Sequence, residues 1–280
     1  MRKFGAVIAV ALLVSSCSSG FLYSKLDTFI VWQVGDYVRL TDAQKSALKA
    51  DVQAQLEFVR RNEMPRAALI FERSARDVEA SRITAELLDA RYHESLEIYD
   101  DLIGGIVPLS ERLLRSLDED QVAEFFANLD EINDEMYEDY SGRTAETREK
   151  NRNKSAIKSI QEFTGRLSKE QRLLVTDALA RMEDASEEWI DYQRLWQSRF
   201  RELVQARPPE DEYLQALTQL FVYPRNLHSE EYRRRVHNNR MILNDMLEEL
   251  FAGLSDRQRK RAVRKLDGYA EMLRELAAAK

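Results

Sequence analysis

Apolar residues recur along this chain at steps of three and four over long stretches, the spacing of one face of an α-helix. Leu174, Ala178, Met182, Ala185, Trp189, Tyr192, Trp196, Phe200 and Leu203 form such a stripe, and the spacing predicts one helix about thirty residues long. Val122, Phe126, Leu129, Ile132, Met136 and Tyr140 form a second, and Ala262, Leu266, Tyr269, Leu273 and Leu276 a third that reaches the terminus. Leu48, Val52, Leu56 and Val59 line another face until Pro65, which is expected to bend or break the run. Helical patterns also cover residues 82–103, 109–116 and 229–252. Gly104-Gly105 and Pro108 separate the first two and predict a kink or a turn. Pro208-Pro209 and Pro224 bracket a short helix. The only strand-like runs, FIVW at 29–32 and LFVY at 220–223, are short enough to be buried helix. Residues 141–155 contain no large apolar side chain and predict a solvated loop or an exposed helical segment. The pattern as a whole predicts an all-α protein, an elongated bundle of long amphipathic helices.

One pentapeptide shape recurs on this background. LTDAQ (40–44), LDEDQ (117–121), LSKEQ (167–171) and LSDRQ (254–258) each place a Leu before a small polar residue and a Gln three positions later. Thr41, Asp118, Ser168 and Ser255 are favoured helix N-cap types, and Gln44, Gln121, Gln171 and Gln258 stand where the second half of a capping box belongs. Each cap is expected to contribute about 1 kcal/mol. Leu40, Leu117, Leu167 and Leu254 are expected to insert against neighbouring helices, since only Val122 offers a staple partner one position past its Gln. The repeats lie 77 and 87 residues apart on either side of the 141–155 segment. A pair of pseudo-repeated halves, 25–140 and 156–280, within a single domain 25–280 is one reading of this spacing.

Composition agrees with helices and adds an address. Only 9 Gly and 5 Pro occur in 280 residues, while 44% of the chain is apolar and 32% charged. The chain opens MRKFGAVIAVALLVSSC, two cations followed by an apolar run too short to span a bilayer, which is the layout of a signal peptide over residues 1–16. Val14-Ser15-Ser16-Cys17 resembles a bacterial lipobox. That resemblance implies cleavage before Cys17, acyl chains of palmitate type on its thiol and amino group, and a short tether over residues 17–24. Ser18, where a retention signal would place Asp, implies the outer membrane, facing the periplasm. Cys17 is the sole cysteine, so disulfides and thiolate metal sites are excluded. Loss of Arg2 and Lys3 with the signal takes the net charge from −7 to −9, and the acidic balance argues against a nucleic-acid partner.

Candidate chemistry is sparse. His93, His228 and His237 fall in no metal-binding spacing, and neither a nucleophile elbow nor a phosphate-binding glycine loop is present. No catalysis, cofactor, metal or small-molecule substrate is expected. A basic cluster, Arg233, Arg234, Arg235, Arg240, Arg257 and Arg261, is a candidate surface for an anionic partner; a solvated, internally neutralised surface is the plainer alternative.

Two resemblances extend this reading. The Leu-Thr-x-x-Gln pattern resembles the signature of the Spy and CpxP periplasmic proteins. It implies a thin helical cradle acting as an ATP-independent chaperone or envelope-stress partner; those proteins carry two motifs and dimerise, so four motifs would let one chain imitate the dimer. GDYVRLTDAQKSAL (35–48), RRNEMPR (60–66) and NNRMILNDMLEELFAGLSDRQRKRAVRKLDGYAEMLREL (238–276) resemble an uncharacterised lipoprotein family of Gram-negative bacteria, domain-of-unknown-function family 6279. That resemblance implies an envelope location and brings no activity. The expectation is therefore a lipid-anchored envelope protein that binds other proteins, with a structural or adaptor lipoprotein, docking on another envelope component or on anionic lipid, as the alternative.

Overall fold

A computed structural model describes residues 23–279; the signal peptide expected over residues 1–16, and Cys17, lie outside the described residues. Among those residues the chain is helical throughout and forms no strand. The elements are α1 (Leu26–Val34), α2 (Asp42–Phe58), a π-helical turn (Val59–Glu63), α3 (Met64–Glu79), α4 (Ala85–Ser116), α5 (Glu119–Ser141), α6 (Ala145–Thr164), α7 (Lys169–Arg181), α8 (Ser186–Ala206), α9 (Glu210–Phe221), a 3-10 turn (Pro224–Leu227), α10 (Glu230–Ala252) and α11 (Asp256–Ala278). No helix among the described residues is long and apolar enough to cross a membrane.

Pro65 does not end its helix. A proline lacks the N–H that position 65 would donate, and its ring collides with the carbonyl four residues earlier. The chain absorbs both by widening into the π turn, so that Met64 N–H bonds to Val59 O, and α2 and α3 run on as one rod. Two contacts lie beside the turn. The Tyr23 hydroxyl donates to Leu56 O at 2.5 Å. Arg60 reaches the last helix, donating to Ala277 O at 3.0 Å and to Ala279 O.

Gly104-Gly105 and Pro108 likewise form no turn; α4 continues through them to Ser116. The carbonyl that the Pro108 ring crowds belongs to Gly104. The thirty-residue stripe, by contrast, is two helices. Met182 leaves α7 in an extended conformation, and Asn239 of α10 grips the break from both sides. Its Oδ1 accepts from Glu183 N at 2.9 Å and its Nδ2 donates to Glu183 O at 2.8 Å. Asp184 then accepts from Ser186 N at 3.1 Å, starting α8. Residues 141–155 are mostly the exposed start of α6, capped by Thr144.

Two apolar cores hold the rods. The larger joins Val38, Leu40, Leu48, Val52, Val107, Leu114, Leu117 and Phe126 to Phe200, Val204, Tyr213, Leu217, Leu220 and Val222. Trp196 packs on it, stacked on Phe200 at 5.1 Å and on Phe221 at 5.8 Å, with its Nε1 donating to Leu220 O at 2.7 Å. Trp196 and Phe200 of the stripe are therefore packing core. The smaller core gathers Leu167, Val175, Ala178, Leu179, Met246 and Leu250. α11 lies antiparallel along α3: Arg60 meets its C-terminal carbonyls, Phe71 meets Tyr269, and Arg259 donates to Val78 O at 3.0 Å.

Candidate functional site

The four pentapeptides start α2, α5, α7 and α11, and each starts its helix in the same way. Thr41, Ser168 and Ser255 form reciprocal capping boxes with Gln44, Gln171 and Gln258. Asp118 and Gln121 make the same two bonds, at 2.8 and 3.1 Å. The leading leucines Leu40, Leu117, Leu167 and Leu254 are all buried.

Capping uses only part of each glutamine. Every side-chain oxygen accepts from its own cap N–H, which leaves the NH2 group free, and the structure brings the four together in two pairs. Gln44 Nε2 donates to Gln121 Oε1 at 2.9 Å, and Gln121 Nε2 returns the bond to Gln44 Oε1 at 2.8 Å. Gln171 and Gln258 exchange the same bonds at 3.2 and 2.8 Å. Each NH2 group also reaches the backbone carbonyl just before its partner's leucine. Gln44 reaches Ser116 O at 2.7 Å, Gln121 reaches Arg39 O at 2.8 Å, Gln171 reaches Gly253 O at 3.2 Å and Gln258 reaches Arg166 O at 3.1 Å. Each pair is thus a two-fold amide clasp in which every nitrogen donates twice and every oxygen accepts from its own cap N–H and from its partner, Gln258 Oε1 accepting also from Ser255 Oγ at 3.1 Å. It pins two helix starts and satisfies the carbonyls of the segments leading into them. Sequence spacing identifies the caps; the clasp depends on folding that brings residues 77 or 87 positions apart into contact.

The two clasps sit at opposite ends of the molecule. Gln44 stands at the start of the α2–α3 rod, and Arg259, next in sequence to Gln258, bonds the carbonyl of Val78 at its far end. At 1.5 Å per residue that rod is about 55 Å long. α4 returns along it, from Ala85, whose N–H donates to Glu248 at 2.6 Å, to Ser116 at the first clasp.

The model of a family described as of unknown function, DUF6279, matches residues 36–233. The chain belongs to this family. No curated protein and no solved structure matches it. The DUF6279 match takes in three of the pentapeptides and leaves the fourth, with Gln258, beyond its end; the 238–276 stretch also lies outside it.

Within and beyond the family segment, the structure divides the basic cluster. Arg234 and Arg235 are held by carboxylates: Arg234 by Glu183 and Glu231 at 2.7 and 2.8 Å, Arg235 by Glu231 and Glu188 at 2.7 and 3.2 Å. Arg234, and after it Arg235, hold the Glu231 carboxyl down at about 2. Arg240 meets Asp89 at 3.0 Å and lies over the Tyr92 ring, and Arg233 donates to His228 O at 2.9 Å. Arg257 and Arg261 are exposed on α11, with no acidic partner among the described residues. Two of the histidines flank the Asp89–Arg240 pair, and the third lies elsewhere. His93 faces Asp89 at 3.5 Å, His237 faces Arg240 at 3.4 Å, and His228 packs between Tyr192 and Tyr232, where burial and then Arg225 and Arg233 lower its pKa.

One further feature lies outside the clasps and the basic cluster. Between α3, α4, α6, α10 and α11 lies an apolar recess of about 250 Å³. Val78, Ile83, Leu87, Leu88, Phe163 and Leu266 line it, and Asp77 and Arg91, paired at 3.1 Å, stand at its polar edge.

Proposed function

We propose that this DUF6279 protein is a lipid-anchored envelope protein that acts by binding other proteins, as a holdase or envelope-stress partner of the Spy and CpxP kind. Cys17 carries the acyl chains, and the helical body works in the periplasm from the outer membrane. The observation that carries this reading is the apolar recess. It opens between the rod that starts at the first pentapeptide and the helix that starts at the fourth, and it exceeds the roughly 150 Å³ cavity that holds a benzene ring. An apolar side chain of a client fits such a space, and the Asp77–Arg91 pair at its edge offers hydrogen bonds to a client backbone.

Aggregation of a chemically unfolded client, followed by light scattering with equimolar protein, tests the activity. Suppression that weakens on Leu87→Asp, with helix content retained, is expected. Failure to suppress at any ratio up to several-fold excess refutes it. Intact-mass measurement of the purified protein tests the anchor: a chain starting at Cys17 and heavier by its acyl groups is expected, and a bare, uncleaved chain refutes it.

The second reading is an adaptor lipoprotein docking on one envelope component, favoured by the exposed cations Arg257 and Arg261. Crosslinking in cells separates the two, since an adaptor captures one dominant partner and a holdase captures many.

A further inference from the structure

The solvent face of α11 is charged in the order that a solitary helix disfavours. Arg257, Lys260, Arg261 and Arg264 occupy its first half, and Asp267, Glu271 and Glu275 its second; all are exposed, and the two exposed charges that break the order are Asp256 in the first turn and Arg274, which pairs with Glu72 of α3. Cations near a helix N-terminus and anions near its C-terminus both oppose the macrodipole. The spacing adds to the conflict. Arg257 and Arg261, Lys260 and Arg264, Asp267 and Glu271, and Glu271 and Glu275 are like charges four residues apart, and each such pair destabilises an isolated helix. None of these seven side chains has an ion-pair partner among the described residues. Neutralisation within the chain therefore does not explain the pattern.

Gly268 sits on the same face near the boundary between the halves, and a methyl group built there would meet nothing within 4 Å. A mid-helix glycine costs about 1 kcal/mol relative to alanine, and no neighbour in this chain requires its small size.

A second copy of the helix, laid antiparallel, resolves both observations. The order of charges reads plus then minus, so reversing one copy sets each cationic half along an anionic half. A two-fold axis near Gly268 lets the backbones approach where neither carries a side chain. We propose that α11 is a homodimer interface, an isologous antiparallel pair of helices joined by two equivalent charge-complementary halves. The face is about 27 Å long from Arg257 to Glu275. One helix per side places the contact at the small end of specific interfaces, so the dimer is reversible and salt-sensitive.

Sedimentation equilibrium of the full chain in density-matched detergent tests this. A dimer is expected near ~0.1 M salt, with the dissociation constant rising roughly tenfold or more at ~1 M, as the screening length falls from about 10 to about 3 Å. One variant carries Arg257→Glu, Lys260→Glu, Arg261→Glu and Arg264→Glu; a second carries Asp267→Lys, Glu271→Lys and Glu275→Lys. Each alone should be monomeric, and an equimolar mixture should form a heterodimer. Gly268→Leu should weaken self-association about tenfold with circular dichroism unchanged, which keeps the test decisive if a charge variant folds poorly. A wild-type chain that stays monomeric at every concentration, or variants that dimerise as well as wild type, overturn the proposal. So does a mixture of two folded variants that remains monomeric.

Discussion

Gln121→Glu distinguishes the amide clasp from simple capping, because the two accounts predict opposite signs. Glutamate serves a capping box as well as glutamine does, since the box needs only an oxygen facing the cap N–H. A carboxylate in the first turn of a helix also gains about 0.3–1 kcal/mol from the macrodipole. Were capping the whole role of Gln121, the substitution would be neutral or slightly stabilising. In the clasp it removes the NH2 group that donates to Arg39 O and to Gln44 Oε1, both at 2.8 Å, and sets a charged oxygen against those two acceptors. Two lost hydrogen bonds at about 0.5–1.5 kcal/mol each, with two carbonyl groups left facing an anion, give a loss of about 2–4 kcal/mol. The Gln121 side chain is buried, which limits relief by water. For a chain of this size that corresponds to a fall in Tm of roughly 4–16 °C. Thermal unfolding followed by circular dichroism at neutral pH reads it directly. A Tm equal to or above wild type would refute the clasp as an energetic unit. Gln44→Glu should behave alike, because the partners are related by the two-fold geometry of the pair.

Double substitutions should follow the same geography: Gln44→Ala with Gln121→Ala should be non-additive by about 1–2 kcal/mol in urea unfolding, whereas Gln121→Ala with Gln171→Ala, from opposite ends of the rod, should add to within about 0.5 kcal/mol. Arg60→Ala should free the carbonyls of Ala277 and Ala279, cost about 2–3 kcal/mol, and accelerate hydrogen exchange in the last turn of α11. Gly104→Ala should stabilise by about 0.5–1 kcal/mol, since a methyl group there meets nothing within 4 Å; Gly105→Ala should gain less, because it meets the Gln55 amide, and paired melting curves will show the difference. Glu231, held at about 2 against an ordinary 4.5, contributes stability that is complete above 4.5 and lost as pH falls toward 2; acid unfolding of Glu231→Gln should therefore show a shallower decline across that window.

Much of the fold was legible because helical periodicity and caps are local. Thr41, Ser168 and Ser255 announce their helices in the sequence. The errors came where a distant group overrides a local rule. The stripe through Met182 and Ala185 keeps perfect helical spacing, yet Asn239, over fifty residues away, stabilises a break there. Pro65 and Pro108 are strong local breakers, but a π turn absorbs the first, and α4, with Val107, Glu111 and Leu114 buried on either side of Pro108, runs through the second. At the candidate site, the glutamines were visible as caps; their remaining N–H groups were the one hint that more partners were needed.

The π turn fixes the rotational phase of the rod. A straight α-helix advances by 100° per residue, and the widened turn shifts everything after it by a fraction of a revolution. Deleting one residue there would leave both ends of the rod helical, with Gln44 still in its clasp at one of them, but would turn the surface of α3 that receives α11 by about a quarter-turn. The two extremities of the protein are set in angular step by five residues near its middle.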